Sequence, residues 1–177
     1  SELIGPIAGA PGSSSFVVLG QTVKVNSKTA YGDGLSGLAS LAADNIVEVY
    51  GLSDGQGNVI ATRIERKAHT VASYAGSAFK LRGVLSGVDQ ATHHLSIGGA
   101  SIVYNDAAVR TALAVGALVR VQLDITPVGS DWEATAIQNG VALVGASQEA
   151  EVEGVISAVM GGTGFVVNGY NVQASAA

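Results

Sequence analysis

The sequence predicts an all-β protein with a minor helical part, built from small barrels in tandem. Three observations support this prediction. Short segments alternate apolar and polar residues, which is typical of half-buried strands. Glycine supplies 24 of 177 residues, while charged residues make up 13% and aromatic residues 5%, a composition typical of turn-rich structure with small side chains. One set of segments recurs along the chain, which indicates repeated units.

Two motifs carry the repeat. The first is IGPIAG at 4–9, RGVLSG at 82–87 and EGVISA at 153–158. The second is FVVLGQTVKV at 16–25, LSIGGASIVY at 95–104 and FVVNGYNVQA at 165–174. Later segments match between the first two copies, LAADNIVEVYG at 41–51 with LAVGALVRVQL at 113–123 and ATRI at 61–64 with ATAI at 134–137.

These matches predict the domain organisation. We expect complete units at residues 3–66 and 79–139, and an incomplete third unit, with only the first three strands, at 151–177. The segments between them, 67–78 and 140–150, are rich in small residues and are predicted to be linkers, with an added strand at Val141, Leu143 and Val144 as the alternative for the second.

The first three strands of each unit follow from the two motifs. The first strand should be long and curved around its glycine, such as Gly5 or Gly83. The second and third strands form a hairpin, because apolar residues alternate on both sides of a glycine turn. Its predicted buried face is Phe16, Val18, Val23 and Val25 in copy one, Leu95, Ile97, Ile102 and Tyr104 in copy two, and Phe165, Val167, Val172 and Ala174 in copy three.

A short helix is predicted between the third and fourth strands. In copy two, Asn105 and Asp106 can cap a helical turn over residues 107–113, where Val109 and Leu113 lie four residues apart on one face. The corresponding apolar residues of copy one are Leu35, Leu38 and Leu41.

The last two strands complete the unit. The fourth has alternating valines, at 47 and 49 in copy one and at 119 and 121 in copy two, and the fifth contains ATRI or ATAI. The order β-β-β-α-β-β is that of the OB-fold, a five-stranded Greek-key barrel. We therefore predict tandem OB-like barrels, with an SH3-like barrel or a β-sandwich as the alternative.

Charge and composition exclude several function classes. The net charge is −5 with nine Lys and Arg residues, whereas nucleic-acid binding needs clustered cations, so we expect no nucleic-acid partner. The chain has no cysteine, which excludes disulfides and thiolate metal sites. Its longest uncharged stretches are interrupted by Gly, Ser and Asn and fall short of the roughly 18 to 20 apolar residues that a membrane span needs, so we expect no span. No signal peptide begins the chain, and we expect that any such segment has been removed.

The pattern G-x-[VI]-x-[SAG], F-x-V-x-G-x-x-V, L-x-x-G-x-x-V-x-V and A-T-x-[IV] resembles the bacterial repeat family named domain of unknown function 5666. It is carried by Gly5, Ile7 and 16–23; by Gly83, Leu95, Leu113, Gly116, Val119, Val121 and 134–137; and by Gly154, Ile156 and 165–172. Copy one departs from it at Asp44, which replaces the counterpart of Gly116. The resemblance implies an exported envelope protein, periplasmic, outer-membrane-associated or extracellular, with several tandem copies and no catalytic residue.

Few residues are candidates for a site. OB-like barrels bind ligands across the second and third strands and the flanking loops, which in copy two contain His93, Ser101 and Val103, with Trp132 as a neighbour. His93 and His94 are adjacent, and adjacent strand residues point to opposite faces, so we expect a solvated turn rather than a metal site. Trp132 is either a lid on the core or a platform for a sugar.

Three other segments resemble functional loops without the partners that the chemistry needs. They are SDGQGN at 53–58, which is similar to a calcium loop, GGTG at 161–164, which is similar to a phosphate loop, and the serines at 13–15. We expect turns and loops at these places, and no catalytic residue, cofactor or metal.

The expected function is therefore a non-enzymatic structural or adhesion module of the bacterial envelope or extracellular space. The incomplete third unit leaves an unpaired strand edge. We expect this unit to be disordered, docked on the second unit, or completed by a neighbouring copy through strand addition, which would give head-to-tail assembly into a filament. Proteolysis of a longer chain is the alternative explanation of the missing strands. The partner is then the chain itself or another envelope protein. The alternative is an OB-like module that binds a glycan or a protein.

Overall fold

The computed structural model describes residues 2–32, 34–54, 57–140, 156–160, 164–167 and 170–173. The fold is all-β, as predicted, with 55% of the described residues in strands and 6% helical. The strands of the first unit are β1 (Glu2–Pro6), β2 (Ser15–Val18), β3 (Gln21–Lys24), β4 (Ala30–Tyr31), β5 (Ile46–Ser53) and β6 (Val59–Ala68). Those of the second are β7 (Phe79–Asp89), β8 (His94–Ile97), β9 (Ala100–Tyr104), β10 (Leu118–Leu123) and β11 (Trp132–Asn139). The remaining strands are β12 (Ile156–Met160), β13 (Gly164–Val167) and β14 (Tyr170–Gln173).

Strands β7 to β11 form a closed five-stranded barrel, which confirms the predicted barrel. Around the ring the order is β7, β8, β9, β11, β10 and back to β7. All pairs are antiparallel except β9 with β11, which run parallel. The first strand, β7, has 11 residues and pairs with β10 through residues 79–84 and with β8 through residues 85–89. This long strand therefore closes the barrel on both sides.

Strands β1 to β6 repeat this arrangement. β1 pairs with β5, β5 with β6, β6 with β3, and β3 with β2. A bridge between Ile7 and Val18 joins the end of β1 to β2, and the Ala8 N–H donates to the Val17 carbonyl at 2.8 Å. The two-residue strand β4 adds to β6 in parallel. The two units therefore share one ring order.

The alternation in the sequence builds the core. Along β8, Leu95 and Ile97 are buried, whereas His94 and Ser96 are partly exposed. Of the hairpin residues predicted to be buried, the following are buried in the structure: Phe16, Val18, Val23, Leu95, Ile97, Ile102 and Tyr104. The largest fully buried side chain is Phe79, at the start of β7. Each fully buried aliphatic or phenylalanine side chain of this core stabilises the fold by about 1.5–3 kcal/mol through the hydrophobic effect.

The helices between the third and fourth strands are shorter than predicted. The first unit has a three-residue 3-10 helix at Leu38–Ser40, and the second has one at Asp106–Ala108. The Asn105 side chain caps the second helix by accepting a hydrogen bond from the Ala108 N–H at 3.1 Å, as predicted.

The predicted continuation of this helix to residue 113 is wrong. Val109 instead forms a parallel bridge with Ile137 of β11, and the Arg110 N–H donates to the Ile137 carbonyl at 2.9 Å. The backbone after residue 108 is therefore hydrogen-bonded to β11 instead of continuing the helix, which satisfies its polar groups in another way.

The two barrels are joined by strand pairing. β1 runs antiparallel to β7, with Leu3 opposite Leu81 and Ile4 opposite Lys80. Strands β1 to β11 consequently form one continuous sheet. The sequence predicted a linker at 67–78, but its first two residues continue β6.

The hairpin turns of the two barrels also touch. The Gly99 N–H donates to the Gly20 carbonyl at 3.0 Å, and the buried Gln21 side-chain amide donates to the Ile97 carbonyl at 2.6 Å. Gly20 has a φ of 71°, and a Cβ at this position would lie 2.3 Å from the Ala100 nitrogen. Glycine is therefore required here both by conformation and by the close approach of the two turns.

The third segment forms a three-stranded antiparallel sheet in the order β12, β13, β14. Three of its apolar side chains are exposed: Ile156 by 54%, Val159 by 80% and Met160 by 37%. Val167 is buried. The predicted linker at 140–150 lies outside the described residues except for Gly140.

Candidate binding surfaces

His93 lies in the turn between β7 and β8, as predicted. Its φ is 54°, and its Nε2 lies 3.2 Å from the Asp106 Oδ1. The ring meets the edge of Tyr104, with 5.3 Å between centroids. Hydrogen bonds from the side chain and backbone of Thr92 lower the pKa of the Asp89 carboxyl in the same turn. These local bonds stabilise an exposed turn.

His94 begins β8 and faces outward. Its Nδ1 lies 2.8 Å from the Thr92 carbonyl, so this nitrogen carries the proton and donates, and its Nε2 lies 3.7 Å from the Asp131 Oδ2. In the strand register His94 is opposite Val103, which is opposite Glu133. One row across three strands therefore presents an imidazole and a carboxylate on the outer face.

Ser101 and Val103 lie on the outer face of β9, on either side of the fully buried Ile102. Ser101 is opposite Ser96 in the register. His93, Ser101 and Val103 thus lie on or beside the β8–β9 hairpin. The outer face of this hairpin presents the Ser96 and Ser101 hydroxyls and the His94 imidazole, and the His93 imidazole lies in the preceding turn.

Trp132 occupies a different position. It is opposite Ile102 in the register, and cross-strand neighbours share a face, so it faces the core end of the barrel. Its ring is half-buried and meets Phe79 edge to face, with 5.6 Å between centroids. Tyr74 stacks on the same Phe79 ring at 5.6 Å. The structure places Trp132 as a lid on the core, apart from Ser101 and Val103.

Asp54 and Asn58, on the two sides of the connection between β5 and β6, are hydrogen-bonded to each other, and residues 55 and 56 between them lie outside the described residues. The Asp54 Oδ1 accepts from the Asn58 N–H at 3.1 Å, and its Oδ2 accepts from the Asn58 amide at 2.6 Å and from the Lys24 ammonium at 3.0 Å. Both carboxylate oxygens are thereby engaged. In the described part of the chain, no three His, Asp or Glu side chains lie close enough together to hold a metal ion.

The outer face of the first barrel carries an ion-pair network. Lys67 lies 3.1 Å from Glu48 and 3.4 Å from Glu65, and Arg63 donates to Glu65 from its Nε at 2.7 Å. The hydrogen bond from Arg63 is the main cause of the lowered pKa of the Glu65 carboxyl, and the hydrogen bond to Glu48 is the main cause of the raised pKa of Lys67. Opposite charges balance within this network, so it stabilises the sheet.

The equivalent face of the second barrel is different. A groove of about 130 Å³ runs over β7, β10 and β11. Its outward side chains include three of the nine cations of the chain, together with two amides: Lys80, Arg82, Arg120, Gln122 and Gln138. Sequence reasoning missed this groove. The alternation of Lys80 and Arg82 along one strand was a visible signal, but the approach of Arg120 depends on the register of β7 with β10.

Fold and surfaces together define a protein of tandem all-β barrels that has an ion-paired face on one barrel and a cationic face on the other. Residues 4–65 match the family model described as "Domain of unknown function (DUF5666)". The match lies within the first unit, and for these residues it confirms the family named from the sequence.

The other comparisons add little. A solved structure titled "drosophila Unr CSD456" matches with 13% sequence identity and a TM-score of 0.31. The match covers 81% of this chain and 63% of that chain. No curated protein sequence matches the chain. No helix among the described residues has the length and apolar character to cross a membrane.

Proposed function

We propose that the chain is a non-enzymatic structural or adhesion module in which two barrels form one stiff body. The observation that supports this proposal is the pairing of β1 with β7, reinforced by the hydrogen bond between the turns at Gly20 and Gly99. Domains joined only by a linker move relative to each other by default. Hydrogen-bonded strands and a turn contact restrain both the distance and the angle between the barrels.

Each barrel, in this proposal, is OB-like. The support is the ring order, in which the first strand lies between the second and fourth and the third strand is parallel to the fifth. A five-stranded Greek-key barrel that presents its second and third strands to ligands is the OB arrangement. The β8–β9 surface with His93, Ser101 and Val103 is then the matching ligand face.

The proposed location is the bacterial envelope or the extracellular space, after export. The support is the resemblance to envelope proteins of the family. Protease added to intact cells of the source organism, or fractionation of those cells, tests it. Recovery of the protein in the cytosolic fraction alone would contradict the proposal.

Spin-label distance measurements test the stiff body. The chain has no cysteine, so Lys28→Cys in the first barrel and Gln90→Cys in the second, both exposed, can be labelled selectively. We expect one narrow distance distribution between the labels. A broad distribution would show that the barrels move independently and would overturn the proposal. Turnover of an ester, glycan or phosphoester that a single substitution abolishes would overturn its non-enzymatic part.

Head-to-tail assembly is a second proposal, which the exposed apolar side chains of the third sheet support. Val159 and Ile156 are exposed by 80% and 54%, which is unusual for residues of a sheet that buries its face. We propose that a second copy of the chain covers these residues. Light scattering over a range of concentrations should show association, and Val159→Glu should abolish it. The matched control is Val128→Glu, since Val128 is a 55% exposed valine of the second barrel. A monodisperse monomer at every concentration would contradict this proposal.

A further inference from the structure

We infer that the groove on the outer face of the second barrel binds a carboxylate-bearing polysaccharide. The groove lies over β7, β10 and β11, away from the β8–β9 hairpin. The inference goes beyond the structural role and does not depend on it. Its basis is the arrangement of Lys80, Arg82 and Arg120.

The strand register brings these cations together. Arg82 is directly opposite Arg120, and Lys80 is directly opposite Gln122. On the other side of β10, Arg120 is opposite Gln138. Neighbouring strands lie about 4.8 Å apart, and alternate residues of a strand about 6.7 Å apart. Donors of five side chains therefore converge on an area that a short oligosaccharide can cover.

This arrangement is unfavourable for the sheet alone. Like charges directly opposite each other on neighbouring strands destabilise a sheet. Within the part of the chain that the structure describes, no carboxylate lies within ion-pair distance of Arg82 or Arg120. The equivalent face of the first barrel instead balances its charges through Glu48, Glu65 and Lys67. A bound anion would relieve the repulsion in the second barrel.

Arg82 is already oriented for such a ligand. Its Nε donates to the Gly140 carbonyl at 2.9 Å, which fixes the plane of the guanidinium. The N–H groups of the Arg82 Nη1 and Nη2 atoms can then donate to both oxygens of one carboxylate, which is the bidentate geometry that guanidinium groups favour. Gln122 and Gln138 carry amides that can donate to and accept from sugar hydroxyls.

Charge and position favour an acidic polysaccharide over other anionic polymers. The chain has a net charge of −5, which repels a densely charged polyphosphate or nucleic acid, and a patch of three cations offsets little of that repulsion. An acidic peptide that adds as a strand needs an open sheet edge. Here the backbones of β7, β10 and β11 are already hydrogen-bonded to one another, so recognition rests on side chains. A polymer with one carboxylate per sugar fits these conditions.

Calorimetric titration of the whole chain with galacturonate oligomers at low salt tests the inference. We expect binding, and no binding of the methyl-esterified oligomers, which keep the sugar backbone without its charge. Arg120→Gln and Lys80→Gln should each weaken the affinity about fivefold, the effect of one ion pair near water. The matched control, Lys28→Gln, removes an exposed cation of the first barrel and should leave the affinity unchanged. Urea unfolding should show Arg120→Gln to be at least as stable as the wild type, because the repulsion with Arg82 is removed.

Four results would overturn the inference. The first is absence of binding to galacturonate at low salt. The second is equal weakening by Lys28→Gln, which would mean that only net charge matters. The third is equal affinity for the esterified oligomers. The fourth is tighter binding of polyphosphate, which would make the groove a phosphate site. None of these results bears on the spin-label distances, so failure of this inference is distinguishable from failure of the stiff body.

Discussion

Alanine at Gly20 should loosen the junction between the two barrels. Gly20 has a φ of 71°, where an alanine costs about 1–2 kcal/mol. The new Cβ would lie 2.3 Å from the Ala100 nitrogen and the Gly99 carbonyl carbon, which are backbone atoms and cannot rotate away. Separating the turns breaks the hydrogen bond from Gly99 to Gly20, worth about 1 kcal/mol. It also breaks the buried bond from Gln21 to Ile97, which costs about 1–2 kcal/mol more. The free energy of unfolding should fall by about 3–5 kcal/mol.

Gly9→Ala is the matched control for this variant. Gly9 has a φ of 72°, and an added Cβ would meet nothing within 4 Å, so the loss should be only about 1–2 kcal/mol. Any gain from a stiffer unfolded chain is common to both variants and cancels in the difference. Urea unfolding followed by circular dichroism and by the fluorescence of Trp132, the only tryptophan, measures both losses. Equal losses in the two variants would refute the reasoning that the turn contact holds the barrels together.

Three further changes test the core, a helix cap and a charged group. Phe79→Ala should destabilise the second barrel by about 3–5 kcal/mol in thermal unfolding and shift the fluorescence of Trp132 to the red, because the buried Phe79 ring supports the tryptophan. Asn105→Ala should cost about 1 kcal/mol in urea, because the following 3-10 helix loses its cap. The folded pKa of Glu65 is lowered, chiefly by the hydrogen bond from Arg63. Its stabilising effect should therefore be complete above the unfolded pKa of about 4.3 and be lost as the pH falls through the folded pKa. Urea unfolding of the wild type and of Glu65→Gln should accordingly converge at acid pH.

Val128→Ala is the control for Phe79→Ala, because it truncates an exposed side chain. Equal losses of stability in these two variants would contradict the prediction for Phe79. An unchanged urea midpoint for Asn105→Ala would mean that the cap contributes nothing. A difference between the wild type and Glu65→Gln that stays constant at every pH would mean that the Glu65 charge is not the source of its stabilising effect.

The hairpins are the part of the fold that the sequence predicted best. Their alternation is local, so the burial of Phe16, Val18 and Val23 in one copy and of Leu95 and Ile97 in the next could be read directly. Asp44 is a further case. It occupies the position of Gly116 in the repeat and adopts a φ of 66°, close to the glycine's 89°, because aspartate tolerates this conformation better than most residues. An apparent departure from the pattern therefore preserves the same turn.

The junction between the barrels could not be predicted in this way. The apolar-polar alternation around Leu3 and Leu81 is the same whether the edges of their strands are open to solvent, paired with another chain or paired with each other. Their pairing depends on the relative placement of two complete rings, and no short-range pattern encodes it. The cationic groove escaped the sequence analysis for the same reason, since Arg82 and Arg120 are far apart in the chain and meet only through the strand register. The sequence allows two interpretations of Trp132, a lid on the core or a platform for a sugar, and the contact of its ring with Phe79 favours the lid.

The junction has an internal two-fold character that bears on assembly. Leu3 and Leu81 occupy equivalent positions just before the first motif, and they are paired with each other. The touching turns, at Gly20 and Gly99, are equivalent positions of the second motif as well. Each barrel thus uses the same patch against the other, which is an isologous contact that closes on itself and cannot propagate. Head-to-tail growth must then use a different surface, such as the exposed face at Val159. Gly20→Ala should consequently leave the concentration dependence of light scattering unchanged while it weakens the junction, and a joint loss would mean that both contacts share one surface.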